Sequence, residues 1–395
     1  MTSRERMLAA ISGQAVDHVP CCFMSFGVLH KRCQQNMFDQ CRAELAMGLD
    51  AMLFIPTTPR SQRPEHPDLR GLPVRFGPEV RTREWTGTDA GGEKVLNKEY
   101  TTPAGPLTTG VRLSDDWPHG NHIPFLDDFQ IPRAIKPLVT QASDLPALRY
   151  LLAPPQGPDV AAFRQEAERA HAFAKEQGVL LAGGWGVGVD MAAWLCSLER
   201  LIEHMADEPE FAAQLLNEIH AWNLWRMEVV LSAGVDLYIR RGWYEGCDFI
   251  PRSFYQRVLF PQLRVEAALA HQHGAKFGYI CTSGALPLIE YYLDAGVDVL
   301  IGVDPVQGTH TDMSALRAKA GKRMSLWGGV SGAVTVERGS ADEVRAAVRK
   351  ALGQLGKDRL VLSPVDNITV EAPQTWANIE VFIDEWRRQG AGATV

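Results

Sequence analysis

Short, continuous runs of apolar residues recur along the chain, and amphipathic stretches with a helical period separate them. Runs without polar alternation are typical of strands that are buried on both faces of a parallel sheet. Such runs occupy residues 19–26, 51–55, 179–183, 237–240, 276–281, 299–303, 323–328 and 359–363. The pattern therefore predicts at least eight parallel strands.

A three-residue motif precedes three of these runs. Residues 48–50 read Gly-Leu-Asp, and residues 234–236 and 296–298 both read Gly-Val-Asp. A glycine that ends a helix, followed by an acidic residue and a buried strand, indicates a helix-to-strand turn. The repetition favours a fold in which helices and strands alternate.

Helical patterning is strongest at residues 209–231, 253–273, 341–355 and 373–388. Eight or more strands alternating with helices predict an α/β fold, a (β/α)8 TIM barrel that forms a single domain over residues 1–395. An open doubly wound sheet is the alternative. Residues 184–188 read Gly-Trp-Gly-Val-Gly but contain no GxGxxG, which argues against a nucleotide-binding fold.

One segment breaks the alternation. Residues 56–132 contain period-two stretches at 80–86 and 94–102, separated by a glycine turn at Gly91 and Gly92. This pattern predicts a small antiparallel β insertion near the amino terminus. Insertions of this kind often cover the mouth of a barrel, so we expect this one to act as a lid.

Composition narrows the classes of function. The hydrophobic fraction is 46% and the net charge is −7, with no basic run, which argues against a nucleic-acid surface. No apolar stretch reaches the length of a membrane span, and the first residues lack the apolar core of a signal peptide. Seven cysteines without a CxxC pair are typical of a cytoplasmic protein, not of a disulfide framework.

Candidate site residues follow the strands, because the catalytic groups of a (β/α)8 barrel lie at the carboxyl ends of its strands. Cys281 is the most informative of them, since it ends a buried strand and a Thr-Ser-Gly loop follows. The other candidates at strand ends are Phe26, His30, Trp185, Arg240, Tyr244, Glu245, Cys247, Tyr279, Asp304, Trp327, Asp366 and Asn367.

A zinc site is one reading of this set. Zinc binds cysteine sulfur and carboxylate oxygen and keeps one position open for catalysis, so Cys281 with Glu245, Asp366 or Cys247 would suit it. The alternative for Cys281 is a small buried hydrophobic side chain. The alternative for each carboxylate is a salt bridge at the barrel rim or a helix N-cap.

Several motifs together carry a family resemblance. They occupy residues 4–20, 327–330, 336–348 and 362–368, and residues 101–107 read Thr-Thr-Pro-Ala-Gly-Pro-Leu. In these stretches the chain resembles the uroporphyrinogen decarboxylase superfamily, and within it the cobalamin-dependent methyltransferase branch. The stretch at 101–107 resembles a strand motif of members linked to O-demethylation. The resemblance implies a barrel enzyme that acts with a corrinoid protein, and it allows a homodimer.

The chain also departs from its relatives. Residues 23–30 read Phe-Met-Ser-Phe-Gly-Val-Leu-His, where uroporphyrinogen decarboxylases carry arginines that hold the porphyrinogen carboxylates. The His-x-Cys of the zinc thiol-methyltransferases becomes Tyr279-Ile280-Cys281, and their late cysteine corresponds to Asp366. Two readings remain: zinc persists with a shifted ligand set, or Tyr279 and Cys281 line an organic pocket without metal.

The leading functional hypothesis is a methyltransferase that passes a methyl group from a small methoxylated, aromatic substrate to a corrinoid protein. Tyr279 and Asp304 are the expected catalytic residues. The expected substrate-binding residues are Phe26, His30, Trp185, Arg240, Tyr244, Trp327 and Asn367.

Two alternatives stay open at this point. The first is a lyase that decarboxylates a small organic acid, with Arg240 or Arg241 holding the carboxylate and Asp304 or Tyr279 transferring the proton. The second is a barrel that has lost its site and serves as a binding or scaffold protein.

Overall fold

The computed structural model describes residues 1–57, 65–66, 75–309 and 311–390. Residues 58–64 and 67–74 of the predicted insertion lie outside the described residues. The chain divides into two compact units: the first comprises Met1–Thr57, Gln165–Gly184 and Leu231–Val395, and the second Thr58–Arg164 and Trp185–Val230. No helix in the described ranges combines the length and apolar character that a membrane crossing needs.

The strands in chain order are β1 (Met52–Ile55), β2 (Arg81–Thr88), β3 (Lys94–Thr102), β4 (Gly105–Arg112), β5 (Ala134–Lys136), β6 (Leu180–Val187), β7 (Leu237–Arg241), β8 (Lys276–Ile280), β9 (Val299–Val303), β10 (Ser325–Ser331) and β11 (Leu360–Val365). Among the described residues, β1 and β6–β11 form one parallel sheet in the order β1-β6-β7-β8-β9-β10-β11. Their side chains are almost entirely buried, as the runs without polar alternation predict.

The helices in chain order are α1 (Ser3–Ser12), α2 (Gly27–Arg32), α3 (Met37–Ala46), α4 (Leu145–Leu151), α5 (Gly157–Gln177), α6 (Val189–Cys196), α7 (Leu198–Asp207), α8 (Pro209–Ser232), α9 (Arg252–Phe254), α10 (Phe260–Gln272), α11 (Ile289–Ala295), α12 (Met313–Ala320), α13 (Ala341–Leu355) and α14 (Pro373–Gly390). The predicted helices at 209–231, 341–355 and 373–388 are confirmed within two residues. The helix predicted at 253–273 is interrupted by a π-helical segment, Tyr255–Leu259.

The predicted first strand, residues 19–26, is reduced to a single parallel bridge between Cys21 and Leu362 of β11. The Cys22 N–H donates to the Leu362 carbonyl, and the Leu362 N–H donates to the Pro20 carbonyl. On its other side, the Cys21 carbonyl accepts from Asp50 N–H, just before β1. The segment occupies the eighth position of a TIM-like barrel that is not fully closed by strands.

The Gly-x-Asp motif has a common structure at all three positions. Each glycine has a left-handed backbone, with φ of 76°, 79° and 90° at Gly48, Gly234 and Gly296. Each aspartate N–H donates to a carbonyl in the preceding strand or segment, at 2.8–2.9 Å, and its carboxylate accepts from the N–H of the same residue, at 2.8–3.0 Å. The pairs are Asp50 with Cys21, Asp236 with Leu181 and Asp298 with Phe277. We call these contacts the aspartate clamps.

The second unit contains the antiparallel sheet β2-β3-β4-β5. The hairpin predicted at 80–102 is present, and two further strands extend the sheet. The last strand, β5, begins two residues beyond the predicted boundary at 132. The predicted alternation gives β3 an inner face that packs Leu96 on Val111, Trp117 and Ile123.

Asp298 provides a test of the clamps. Burial alone would raise its pKa, but hydrogen bonds from His271 and the Phe277 N–H, with the charge of Lys276, hold the pKa below its ordinary value. We expect Asp298→Asn to lower the free energy of unfolding by about 1–3 kcal/mol, because the amide cannot satisfy all three donors. Urea unfolding at neutral pH measures the change. Asp294→Asn, at an exposed ion pair on α11, is the matched control, and an equal effect of both variants would contradict the clamp.

Glu44 provides a second test, which concerns the dependence of stability on pH. It is buried on α3, where its Oε1 accepts from Gln40 Nε2 at 2.8 Å. Burial raises its pKa from 4.5 to about 8, so the folded chain holds a proton that the unfolded chain releases between these values. Stability should therefore fall as pH rises through this window, by up to about 1.4 kcal/mol per pH unit.

In Glu44→Gln this slope should disappear, because the amide mimics the protonated carboxyl group. Unfolding curves at pH 5, 6, 7 and 8 compare the two chains. Parallel pH profiles for the wild type and the variant would show that Glu44 is ionised in the folded chain.

Candidate active site at the carboxyl ends of the parallel strands

A buried ionic network lies at the end of β7. Arg240 donates from Nη1 to Glu245 Oε1 at 2.7 Å and from Nε to Glu266 Oε2 at 2.9 Å, and all three side chains are at most 2% exposed. Burial alone would lower the pKa of Arg240, but the charges of Glu245 and Glu266 raise it above its ordinary value. The guanidinium is thus a permanent positive charge between two carboxylates.

Tyr279 extends this network from β8. Its hydroxyl donates to Glu245 Oε2 at 2.5 Å, so both Glu245 oxygens accept hydrogen bonds. Burial, together with the charge of Glu245, raises the pKa of Tyr279 well above its ordinary value. Tyr279 is therefore a neutral donor that orients Glu245.

Cys281 follows β8 and is 1% exposed. Its thiol donates to the Ser283 carbonyl at 3.4 Å, and the Tyr292 hydroxyl faces it. Burial raises the pKa of the thiol to about 12, with a smaller opposing effect from Tyr292. Cys281 therefore keeps its proton at neutral pH and is not a thiolate nucleophile.

Asp304 follows β9 and is 3% exposed. Its Oδ1 accepts from the N–H groups of Val306 and Gln307 at 2.7 and 3.1 Å. Its buried Oδ2 makes no hydrogen bond of standard geometry within the described chain, although the Ser331 hydroxyl lies against it. Burial raises the pKa of Asp304, backbone donors and Ser331 oppose this, and the charge of Asp366 adds to it.

Asp366 and Asn367 shape the loop after β11. Asp366 has a left-handed backbone with φ of 70°, and its Oδ2 accepts from Gln307 Nε2 at 3.4 Å. Asn367 Oδ1 accepts from Gly27 N–H at 2.8 Å and so holds the start of α2. Phe26, just before α2, packs on Trp376 with ring centroids 5.9 Å apart. These contacts give Asn367 and Phe26 structural roles near the strand ends.

The remaining predicted residues are spread more widely. Trp327 is fully buried in β10 and donates to the Cys22 carbonyl at 2.9 Å. Tyr244 packs edge-on against Phe249, and His30 Nδ1 lies 2.8 Å from Gln40 Oε1. Trp185 belongs to the second unit, where it is largely buried with a left-handed φ of 74°. An aromatic side chain in this conformation marks a strained position.

A pocket opens between the ends of β8 and β9. Its lining includes Cys281, Ser283, Asp304, Thr309 and Thr311. The pocket thus brings together the thiol and one of the two predicted catalytic residues. Its lining includes four residues with hydroxyl groups, Thr282, Ser283, Thr309 and Thr311, and one carboxyl group, that of Asp304.

The four predicted metal ligands do not fit a zinc ion in this arrangement. Both Glu245 oxygens are engaged by Arg240 and Tyr279, and the Cys281 thiol donates to the Ser283 carbonyl. Cys247 is half-buried, and Asp366 Oδ2 accepts from Gln307 Nε2. Across the described residues, no group of three or more His, Cys, Asp or Glu side chains is placed to hold a metal ion. A zinc site that includes Glu245 would need this carboxylate to leave a buried guanidinium.

Three residues that complete the network were not predicted: Glu266, Tyr255 and Tyr292. All three lie on helical segments, not at strand ends. Arg240 at the end of a buried strand was a signal for a buried counterion, which is Glu266. No pattern in the sequence indicated the two tyrosines, one of which begins the π-helical segment, a conformation that is frequent at functional sites.

The comparisons with known proteins agree with this architecture. A family model described as uroporphyrinogen decarboxylase (URO-D) matches residues 122–389. Comparison with curated protein sequences gives no match.

Two solved structures are similar over nearly the whole chain. A methyltransferase from Methanosarcina mazei is 18% identical, with a TM-score of 0.60 over 98% of this chain and 99% of that one. A B12-independent methionine synthase from Shewanella sp. W3-18-1, in complex with selenomethionine, is 11% identical, with a TM-score of 0.50 over 94% and 97%. At these identities the likeness concerns the fold.

Metal binding is directly testable. We expect the purified chain to contain far less than one zinc per chain, and Co²⁺ addition to give no thiolate-to-cobalt absorption, because Cys281 and Glu245 are engaged elsewhere. Elemental analysis and absorption spectroscopy provide the two measurements. Cys281→Ser and Cys196→Ser form a matched pair at buried cysteines. About one bound ion that Cys281→Ser loses and Cys196→Ser retains would establish Cys281 as a ligand.

Proposed function

Because the chain belongs to the uroporphyrinogen decarboxylase (URO-D) family, we propose that it is a methyltransferase that removes a methyl group from a small methoxylated, aromatic substrate and passes it to a corrinoid protein. The resemblance of residues 101–107 to a motif of O-demethylating relatives supports this function. The absence of arginine from residues 23–30 argues against a porphyrinogen substrate. The whole-chain likeness to a methyltransferase fold agrees with it.

The proposal rests on the environment of Asp304. It is a buried carboxyl group with a raised pKa, at a strand end and beside a pocket. Such a carboxyl group holds its proton at higher pH than an exposed one, which suits a general acid.

The reaction needs an acid because an alkoxide or phenoxide is a poor leaving group at neutral pH. In the proposed step, Asp304 donates its proton to the ether oxygen while the O–CH₃ bond breaks. The bonding pair stays on that oxygen, which leaves as a hydroxyl group, and Asp304 is reprotonated from solvent. The corrinoid of the partner protein, when bound, supplies the nucleophile that receives the methyl group.

In this proposal, the other residues of the pocket bind the substrate and exclude water. The Ser283, Thr309 and Thr311 hydroxyls offer hydrogen bonds to the substrate oxygen atoms. The protonated Cys281 thiol lines the pocket as a weakly polar group, and it does not compete with the corrinoid as a nucleophile. Tyr279 and Arg240 both donate hydrogen bonds to Glu245, so in this proposal they are positioning residues.

The decarboxylase alternative receives less support from the geometry. It needs Arg240 or Arg241 to bind the carboxylate of the substrate, and the structure gives clear contacts for Arg240. Arg240 already faces Glu245 and Glu266 and also donates to the Arg241 carbonyl at 2.5 Å. A substrate carboxylate would have to displace a buried ion pair, which costs several kcal/mol.

Asp304→Asn tests the role of the acid. The amide keeps an acceptor for the Val306 and Gln307 N–H groups but has no acidic proton. We expect turnover of a methoxylated aromatic, with a reduced corrinoid protein as acceptor, to fall about 10²–10⁴-fold. In the wild type, kcat/KM should decline as pH rises through the pKa of Asp304, and this alkaline limb should vanish in the variant. Chromatographic detection of the phenol measures the rate.

Asp312→Asn, the same chemical change at the N-cap of α12, is the control and should keep its rate within about twofold. In Asp366→Asn the alkaline limb should move to lower pH, because the charge that raises the pKa of Asp304 is removed. Full turnover by Asp304→Asn would exclude it as the acid. Release of CO₂ from aromatic acids without corrinoid protein would favour the lyase instead.

A further inference from the structure

The loops that follow β7, β8 and β9 touch one another through their backbones. The Cys247 N–H donates to the Gly284 carbonyl at 3.0 Å, and the Gly284 N–H donates to the Thr309 carbonyl at 3.3 Å. These two hydrogen bonds link residues 242–250, 282–284 and 304–309 in series. We call these three loops the clasp.

Glycines make this close approach possible. A Cβ on Gly246 would lie 1.8 Å from the Ser283 carbonyl oxygen, and one on Gly284 would lie 2.6 Å from the amide nitrogens of Cys247 and Asp248. Gly308 is equally confined, since its Cβ would lie 2.4 Å from Asp248 Oδ2 and from Ser283 Cβ. The loops of the clasp therefore approach one another closely at these glycines, where a larger side chain would not fit.

Asp248 joins the outer two loops of the clasp. Its carboxylate accepts from the Thr309 N–H at 2.8 Å and from the Thr309 hydroxyl group. The Asp248 side chain is exposed, whereas the residues beneath are buried: Cys281 is 1%, Thr282 6% and Ser283 8% exposed. Water can replace the exposed hydrogen bonds at small cost, so this link is a latch that can open without stranding a buried polar group.

The clasp borders the pocket that Cys281 and Asp304 share. Ser283 and Thr309 line this pocket, and Cys247 and Gly246 lie on Ser283 and Gly284. The pocket holds about one water molecule, so a larger ligand at Asp304 would need these loops to move apart.

We propose that the clasp is a gate which opens by release of the Asp248–Thr309 latch and admits substrate to Asp304, an inference that rests on the proposed role of that residue. Opening exposes Cys281. The thiol therefore reports on the gate without any substrate, cofactor or partner.

The experiment measures alkylation of each cysteine in the intact, full-length chain. A pulse of N-ethylmaleimide, followed by digestion and peptide mass spectrometry, gives the labelling rate at Cys281. We expect Asp248→Ala to raise this rate roughly 10- to 100-fold, since it removes a charged acceptor of two hydrogen bonds. Gly246→Ala should raise it as well, because the added methyl group cannot fit the closed clasp.

Two controls separate gating from unfolding. Cys196, buried on α6 in the second unit, should label at the wild-type rate in every variant. Asp89→Ala removes a similar turn acceptor, for the Gly91 and Glu93 N–H groups, and should leave Cys281 unchanged.

Two results would overturn the gate. In one, Cys281 labels at the same rate in Asp248→Ala as in the wild type. In the other, Cys281 and Cys196 label together in all chains, so that exposure follows global unfolding. Either result leaves the assay of Asp304→Asn unaffected, so the gate and the proposed function fail independently.

Discussion

The aspartate clamps fix the register on which the candidate site depends. Each clamp binds both the N–H and the carbonyl of one residue in a neighbouring strand or segment. A slip of one residue would turn every side chain of a strand to the opposite face. The clamps act at the amino ends, but strands of fixed length carry their effect to the carboxyl ends. Arg240 lies four residues after Asp236, and Asp304 lies six residues after Asp298. The placement of the site therefore follows from contacts at the other end of the sheet.

The same constraint explains which parts of the fold could be predicted from sequence. Strands β6–β11 are apolar on both faces and follow recognisable turns, so their positions were predicted closely. Residues 19–26 have the same apolar character but form only one bridge, at Cys21. Their hydrogen bonds go to Leu362 and Asp50, and the chain turns into α2 where Asn367 caps Gly27. Periodicity measures burial, and it does not show how many ladder bonds a buried segment makes.

The candidate site shows a similar division. Strand ends identified Arg240, Glu245, Tyr279, Cys281 and Asp304 because barrel topology gathers them. Their partners on helical segments were not predicted. Which helical residue contacts a strand end depends on three-dimensional packing, and no local sequence pattern shows it. Glu266, nineteen residues after the predicted site residue Cys247, forms an ion pair with Arg240 together with Glu245. The π-helical turn at Tyr255 has no signature in the sequence, yet it begins the segment that faces Tyr279.

The buried carboxyl groups of this site lie in two opposite environments. Glu245 and Glu266 form buried ion pairs with the Arg240 guanidinium, which tie them to the framework. Burial and the repulsive charge of Asp366 both raise the pKa of Asp304, against the opposing effect of its backbone donors and Ser331. Where the environments of acids differ in this way, the acid whose pKa is raised is suited to proton donation and the ion-paired acids to positioning. Arg240 therefore has an indirect role: it holds Glu245 and Glu266 in the framework, whereas Asp304 accepts hydrogen bonds from backbone N–H groups instead.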